Sequence, residues 1–274
     1  MGAARATLRA LLLVVMSVLA AVAALPVSLL AIYGPFGDRV ALRSVVRLQR
    51  LWCRSALAIV GVRVLTHGAP PREPCILVAN HLSYLDVALL GAALPCRFVA
   101  KSEVAGWPGI GWLARLARVL FVRRDERRDL LRVGDELRRT LAAGVAVAFF
   151  PEGTSTRGVD VRPFHAGLLQ PAVDAGLPCL PVVLRYETPA GTPAPSDCVC
   201  WWGDMTLPPH LWRLMTLSQV QAEVSFGDRP VRAADRKALA SELHARVAAL
   251  FVPVRQETAP ARTASSPAEC SVPR

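Results

Sequence analysis

Residues 76–86 read ILVANHLSYLD, and residues 145–158 read VAVAFFPEGTSTRG. Each opens as a short apolar run and breaks abruptly into a polar loop. Such runs, bounded by turn residues, fit buried strands. In the first, His81 stands just past the run and Asp86 follows five positions later. In the second, Pro151 ends the run, and Glu152, Gly153, Thr154, Ser155, Thr156 and Arg157 follow. Ligand sites of α/β sheets lie at the carboxyl ends of strands, so both loops are candidates for one site.

Working outward, more short apolar runs alternate with helical patterns. Strands are expected at Val62–Leu65, Arg97–Ala100, Val119–Val122, Cys179–Arg185, Val199–Trp202 and Val220–Phe226. Helices are expected at Tyr84–Ala93, Ile110–Leu116, Glu126–Ala142, Gly167–Ala175 and Ala233–Leu250, with Gly144 and Gly176 where C-caps belong. The stretch 187–197 (ETPAGTPAPSD) reads as a loop. The alternation argues for an α/β fold, a central mixed sheet flanked by helices, over residues 61–254. Residues 1–60 read as hydrophobic membrane-anchoring helices. Residues 255–274, polar and without apolar period, read as a disordered tail.

The hydrophobic share of 53% and mean hydropathy of +0.37 are high for a freely soluble enzyme. A net charge of +11 suggests an anionic partner: lipid headgroups, a phosphorylated substrate, or nucleic acid. No nucleic-acid-binding motif accompanies the charge, so lipid headgroups or a phosphorylated substrate are expected rather than nucleic acid. The seven cysteines are odd in number and no pair has zinc-ligand spacing, which points to a reducing compartment and no metal.

Residues 10–32 carry no charge. As a helix they reach about 34 Å, enough for a hydrocarbon core of about 30 Å. Arg5 and Arg9 precede the run and five arginines between 39 and 54 follow it, so flanking charge favours neither orientation. Pro26 is expected to kink the helix. Residues 39–60 mix arginine with apolar residues as an interfacial helix does. Either a single span or a kinked hairpin dipping into the cytoplasmic leaflet fits, with the catalytic domain facing the cytoplasm. A cleaved signal peptide is the alternative.

The chemistry turns on His81. Imidazole suits the removal of a proton from an alcohol near neutral pH, and a carboxylate on its other nitrogen fixes the tautomer. Asp86 is the candidate. Positions five apart in one helix point about 140° away from each other, so the pair requires His81 in the loop and Asp86 in the first helical turn. Ser83 as N-cap would put Asp86 third in the helix, where a carboxylate closes a capping box. The plainer alternative is therefore a cap and a loop histidine. No Gly-x-Ser-x-Gly elbow occurs to supply a protein nucleophile, so direct attack by a substrate hydroxyl is the simpler mechanism. Gly153 lets the backbone approach a ligand, and Thr154 adds a hydroxyl. Glu152 would repel a phosphate, and its expected role is to bind a substrate hydroxyl or hold a neighbouring arginine. Arg124, beyond the run Val119–Val122, can present a guanidinium to phosphate. Lys101 can pair with phosphate or lie idle at the surface.

Taken together, NHLSYLD, RVLFVRR (118–124), FFPEGTSTRG and LPVV (180–183) resemble the motifs of the glycerolipid acyltransferases, the 1-acylglycerol-3-phosphate acyltransferases and their relatives, over roughly residues 60–230. The resemblance implies that His81 and Asp86 are catalytic and that Arg124, Glu152 and Gly153 hold the acceptor. Two positions depart from it: Arg118 replaces a glycine and Arg123 an aspartate. It implies acyl transfer at a membrane, from acyl-CoA or acyl carrier protein to a lysophospholipid, foremost lysophosphatidic acid, with no metal or prosthetic group. Alternatives are another acceptor such as lyso-ornithine lipid, a lipid hydrolase using Ser83 or Ser155, and a non-catalytic lipid-binding protein.

Overall fold

The structure, a computed structural model, describes residues 2–33, 37–123 and 126–256. Two long helices, α1 (Gly2–Tyr33) and α2 (Gly37–Val60), lead into β1 (Val62–His67) and β2 (Ile76–Ala79). Then follow α3 (Leu85–Ala93), β3 (Cys96–Lys101), a 3-10 turn (Ser102–Gly106), α4 (Ile110–Leu116) and β4 (Leu120–Val122). The chain continues through α5 (Arg127–Ala142), β5 (Ala146–Phe149), α6 (Ala166–Asp174) and β6 (Cys179–Glu187). It closes with α7 (Pro195–Cys198), α8 (Leu207–Thr216), β7 (Val220–Phe226) and α9 (Arg236–Leu250). The disordered tail expected at 255–274 lies, beyond residue 256, outside the described residues.

The seven strands form one sheet in the order β1-β7-β6-β2-β5-β3-β4. All pairs are parallel except β6 with β7, so the sheet is mixed. Successive side chains of a strand face opposite ways. In β2, Leu77 and Ala79 pack with α2, α3 and α8 residues such as Leu57, Leu89 and Leu214. Ile76 and Val78 pack on the other face with Val133, Leu169 and Leu243 of α5, α6 and α9. Both faces of β2 are therefore dry, which is why its sequence is an unbroken apolar run.

Three elements differ from the sequence expectation. Val199–Trp202 is no strand: Cys198, Val199 and Cys200 are buried, and Trp201 N–H donates to Leu82 O at 2.8 Å. The run is apolar because it packs beneath the His81 loop, and a short apolar run does not distinguish the two uses. Helix α8 was not foreseen because Pro208 and Pro209 look like breakers. Both fall in its first turn, where a missing N–H goes unneeded. The loop expected at 187–197 loses Glu187 to β6 and its last three residues to α7.

Helix α1 continues through Pro26. What departs from the expectation is the use of its arginines. Its Arg9 donates to Met215 O (3.0 Å) and Leu217 O (2.7 Å), and Arg5 to Thr216 O (3.0 Å). These arginines satisfy the carbonyls at the C-terminus of α8 rather than flanking a free span. Helix α2 is a layer of the domain as well as part of the N-terminal pair. Its Arg50 donates to Ala92 O and Ala93 O, both at 3.1 Å, at the end of α3, and Cys53, Leu57 and Val60 join the core. Outward, α1 leaves Leu11, Leu12, Val15 and Leu19 exposed. Among the described residues its segment Gly2–Val27 alone is long and apolar enough to cross a membrane.

Candidate active site

The site lies at the carboxyl ends of β2, β5 and β3. The chain leaves β2 at Ala79, and buried Asn80 extends the contact to β6: its Nδ2 donates to Leu184 O (3.0 Å) and its Oδ1 accepts from Leu184 N (2.8 Å). His81 follows. Its backbone N–H donates to Glu152 Oε1 at 2.7 Å, and its carbonyl accepts from Thr156 N at 2.9 Å. Its ring stacks on Phe150 with centroids 4.2 Å apart and planes 13° from parallel. The loop after β5 thus grips the loop after β2 from above and beside the imidazole.

His81 Nδ1 lies 2.7 Å from Asp86 Oδ2. Asp86 is fully buried, and the same oxygen accepts from Leu82 N (2.6 Å) and Ser83 N (2.9 Å). Helix α3 has Tyr84 at its N-cap, one residue past the Ser83 expected, and no side-chain cap bond. The Asp86 carboxylate nonetheless holds the backbone N–H groups of Leu82 and Ser83 ahead of the helix while it meets the ring. With Nδ1 so engaged, Nε2 is the ring atom left to take a proton. Ser83 is fully buried and its Oγ faces Leu85 N, 3.4 Å away, so it is poorly placed to attack a substrate.

Glu152 is 2% exposed. Its second oxygen accepts from Arg162 N at 3.0 Å, so both oxygens hold backbone amides. Burial pushes its carboxyl up to about 7, against the pull of those two donors. Gly153 follows with φ 77°, a conformation that favours glycine.

A cleft of about 1040 Å³ opens over His81. Lys101, Gly153, Thr154 and Ser155 line its polar end. Most of its lining is apolar, including Trp107, Trp112 and Leu113 and, from α1, Leu13, Val18 and Ala21 beside Ser17. Trp52 Nε1 donates to Ser17 Oγ at 3.1 Å and ties α1 to α2.

The structure therefore brings His81, Asp86, Glu152, Gly153, Thr154 and Lys101 to one place. Arg124 lies outside the described residues. Its neighbours explain the departures noted in the sequence. Arg118, where the family pattern has glycine, holds a left-handed φ of 54° and ion-pairs with Asp38 at 3.2 Å. Arg123 pairs with Glu126 at 2.8 Å, and its N–H donates to Asp129 at 2.7 Å. Phe150, Asn80 and Tyr186, whose hydroxyl donates to Asp86 Oδ1 at 2.6 Å, were not singled out as parts of the site. Phe150 could have been, as the last apolar residue before Pro151. Tyr186 carries no such signal, since only the pairing of β6 with β2 brings it near.

Comparison with known proteins gives the family to which the fold belongs. The family model described as Acyltransferase matches residues 62–185, from the start of β1 to near the end of β6. The lyso-ornithine lipid O-acyltransferase of Pseudomonas aeruginosa is 38% identical over 62% of this chain and 64% of its own, just under two thirds of that relative's length. A 1-acyl-sn-glycerol-3-phosphate acyltransferase of Neisseria gonorrhoeae is 35% identical over 63% of this chain and 68% of its own. The crystal structure of the 1-acyl-sn-glycerophosphate (LPA) acyltransferase PlsC from Thermotoga maritima superposes with a TM-score of 0.58, covering 86% of this chain and 95% of that one at 22% identity, and so shares the fold.

Proposed function

Since the chain belongs to the acyltransferase family that includes the 1-acyl-sn-glycerol-3-phosphate and lyso-ornithine lipid acyltransferases, we propose that it moves a fatty acyl group from acyl-CoA or acyl carrier protein to a hydroxyl of a lysophospholipid. Lysophosphatidic acid, converted to phosphatidic acid, is the acceptor proposed first. The observation that carries this reading is the His81–Asp86 contact of 2.7 Å at the polar end of an apolar cleft.

In the proposed reaction the acceptor hydroxyl approaches His81 Nε2 and gives up its proton as its oxygen attacks the thioester carbonyl. Asp86, on Nδ1, holds the ring and stabilises the imidazolium. Collapse of the tetrahedral intermediate forms the ester, breaks the C–S bond, and returns the proton to the departing sulfur. No protein nucleophile is needed. Glu152 acts through the backbone of His81. Lys101 and Thr154, at the polar end of the cleft, together with Arg124, hold the acceptor's phosphate and glycerol. The apolar length takes an acyl chain.

A second acceptor, lyso-ornithine lipid, is favoured by the name of the Pseudomonas relative. We place the enzyme on the cytoplasmic membrane with its domain facing the cytoplasm, and α1 embedded by its exposed leucines and valines. Because Arg5 and Arg9 bind α8 and α2 returns directly to β1, both ends of the pair start from the domain. That arrangement supports a hairpin in one leaflet rather than a single span. Purified protein with acyl-CoA and a panel of lysolipids, read by product mass, tests the assignment. A diacyl product is expected. Free fatty acid without an acylated acceptor would instead mark a hydrolase.

A further inference from the structure

The two oxygens of the Asp86 carboxylate have unequal company. Oδ2 accepts from the His81 ring and from the amides of Leu82 and Ser83. Oδ1 takes the hydroxyl of Tyr186 at 2.6 Å. Asp86 and Tyr186 are both 0% exposed, so solvent does not stand ready to replace that donor.

Tyr186 arrives on β6, the neighbour of β2. The β2–β6 ladder ends with Ala79 opposite Val182. Beyond it, Asn80 grips both backbone polar groups of Leu184, and two residues on Tyr186 reaches Asp86. Strand β6 thus runs past the end of β2 and holds the His81 loop at two points.

We infer that Tyr186 is a positioning residue for the reaction at His81: its hydroxyl fixes the rotation of the Asp86 carboxylate and thereby the aim and basicity of the imidazole. This rests on the proposed role of His81 as base. Without the hydroxyl, Oδ1 is a buried acceptor with no donor. Charge then concentrates on the oxygen that faces Nδ1, the imidazolium is favoured, and the neutral base forms only at higher pH. The other titratable groups around the pair are Glu152 behind the His81 backbone, Tyr84 at the start of α3, Cys200 after α7 and Lys101 at the cleft's polar end. None of them is altered by changing Tyr186 to phenylalanine.

The test is Tyr186→Phe in the full chain, assayed with acyl-CoA and lysophosphatidic acid beside wild type and His81→Ala. The expected result is a fall in kcat of about tenfold or more with both KM values within about twofold, and an acid limb of the kcat/KM profile moved to higher pH. A lower melting temperature with unchanged kcat per folded molecule and an unmoved profile would overturn the inference and leave Tyr186 a packing residue. Should the variant not fold, 3-fluorotyrosine at position 186 keeps the hydroxyl and strengthens it as a donor. The acid limb should then move to lower pH, and an unmoved limb overturns the inference. The two readings fail separately. An active His81→Ala removes the base itself, whereas an inactive His81→Ala beside a wild-type-like Tyr186→Phe removes only the positioning role.

Discussion

Glu152 Oε1 accepts the backbone N–H of His81 at 2.7 Å, so the acid of one sequence motif holds the peptide of the other, 71 residues away. The two loops form one structural unit. Glu152→Gln offers a single acceptor oxygen where the carboxylate offers two, and one of the amides of His81 and Arg162 must lose its partner. The expected result is a fall in kcat of about tenfold with the acceptor KM nearly unchanged. A large rise in acceptor KM at constant kcat would show direct contact with the acceptor instead.

The same carboxyl predicts a pH dependence of stability. Burial raises it from an ordinary 4.5 to about 7. The folded protein therefore keeps a proton that the unfolded chain releases between those values. Its contribution is fully present below about 4.5, declines as pH rises, and is gone once pH passes about 7. At about 1.4 kcal/mol per unit the span is on the order of 3 kcal/mol. Denaturant titrations across this window should show stability falling with pH, and Glu152→Gln should flatten the slope. An equal slope in both proteins would assign the effect to other groups.

Arg9 reaches three carbonyls at and just past the end of α8, those of Met215, Leu217 and Ser218, while its own helix α1 lines the cleft. Replacing Arg5 and Arg9 together by alanine should cost about 1–3 kcal/mol. It should also speed amide exchange along residues 2–25 and raise KM for long acyl chains more than for short ones. Equal KM changes for all chain lengths would detach the helix from substrate selection.

Arg118 tests the backbone account of the second motif. Its left-handed φ of 54° is one that glycine adopts freely. Arg118→Gly should lie within about 1 kcal/mol of wild type, because relief of strain offsets the extra freedom of the unfolded chain and the lost pair with Asp38. Arg118→Val, β-branched, should lose about 2 kcal/mol. Melting curves of the two variants decide it.

Much of this was legible in the sequence, for physical reasons. Strands β2 and β5 are buried on both faces, so their residues form apolar runs that end where the site begins. Asp86 was legible because holding the turn ahead of α3 and pairing with His81 ask for the same residue at the same place. Tyr186 was not, because nothing in VVLRYE shows that β6 lies beside β2. Nor were the duties of Arg9 and Arg50, since an arginine that caps a distant helix looks like one that flanks a membrane. The run Val199–Trp202 looks like a strand for a related reason: burial of Val199 and Cys200 beneath a loop leaves the same apolar signature as a place in a sheet.

The central claim is that the His81 imidazole, aimed by Asp86, takes the proton of a lipid hydroxyl. The most direct measurement is the turnover of purified His81→Ala with acyl-CoA and lysophosphatidic acid, alongside its circular dichroism and vesicle binding. Turnover should fall by at least about 10²-fold with fold and membrane attachment intact. Near-normal turnover in that variant would contradict the account.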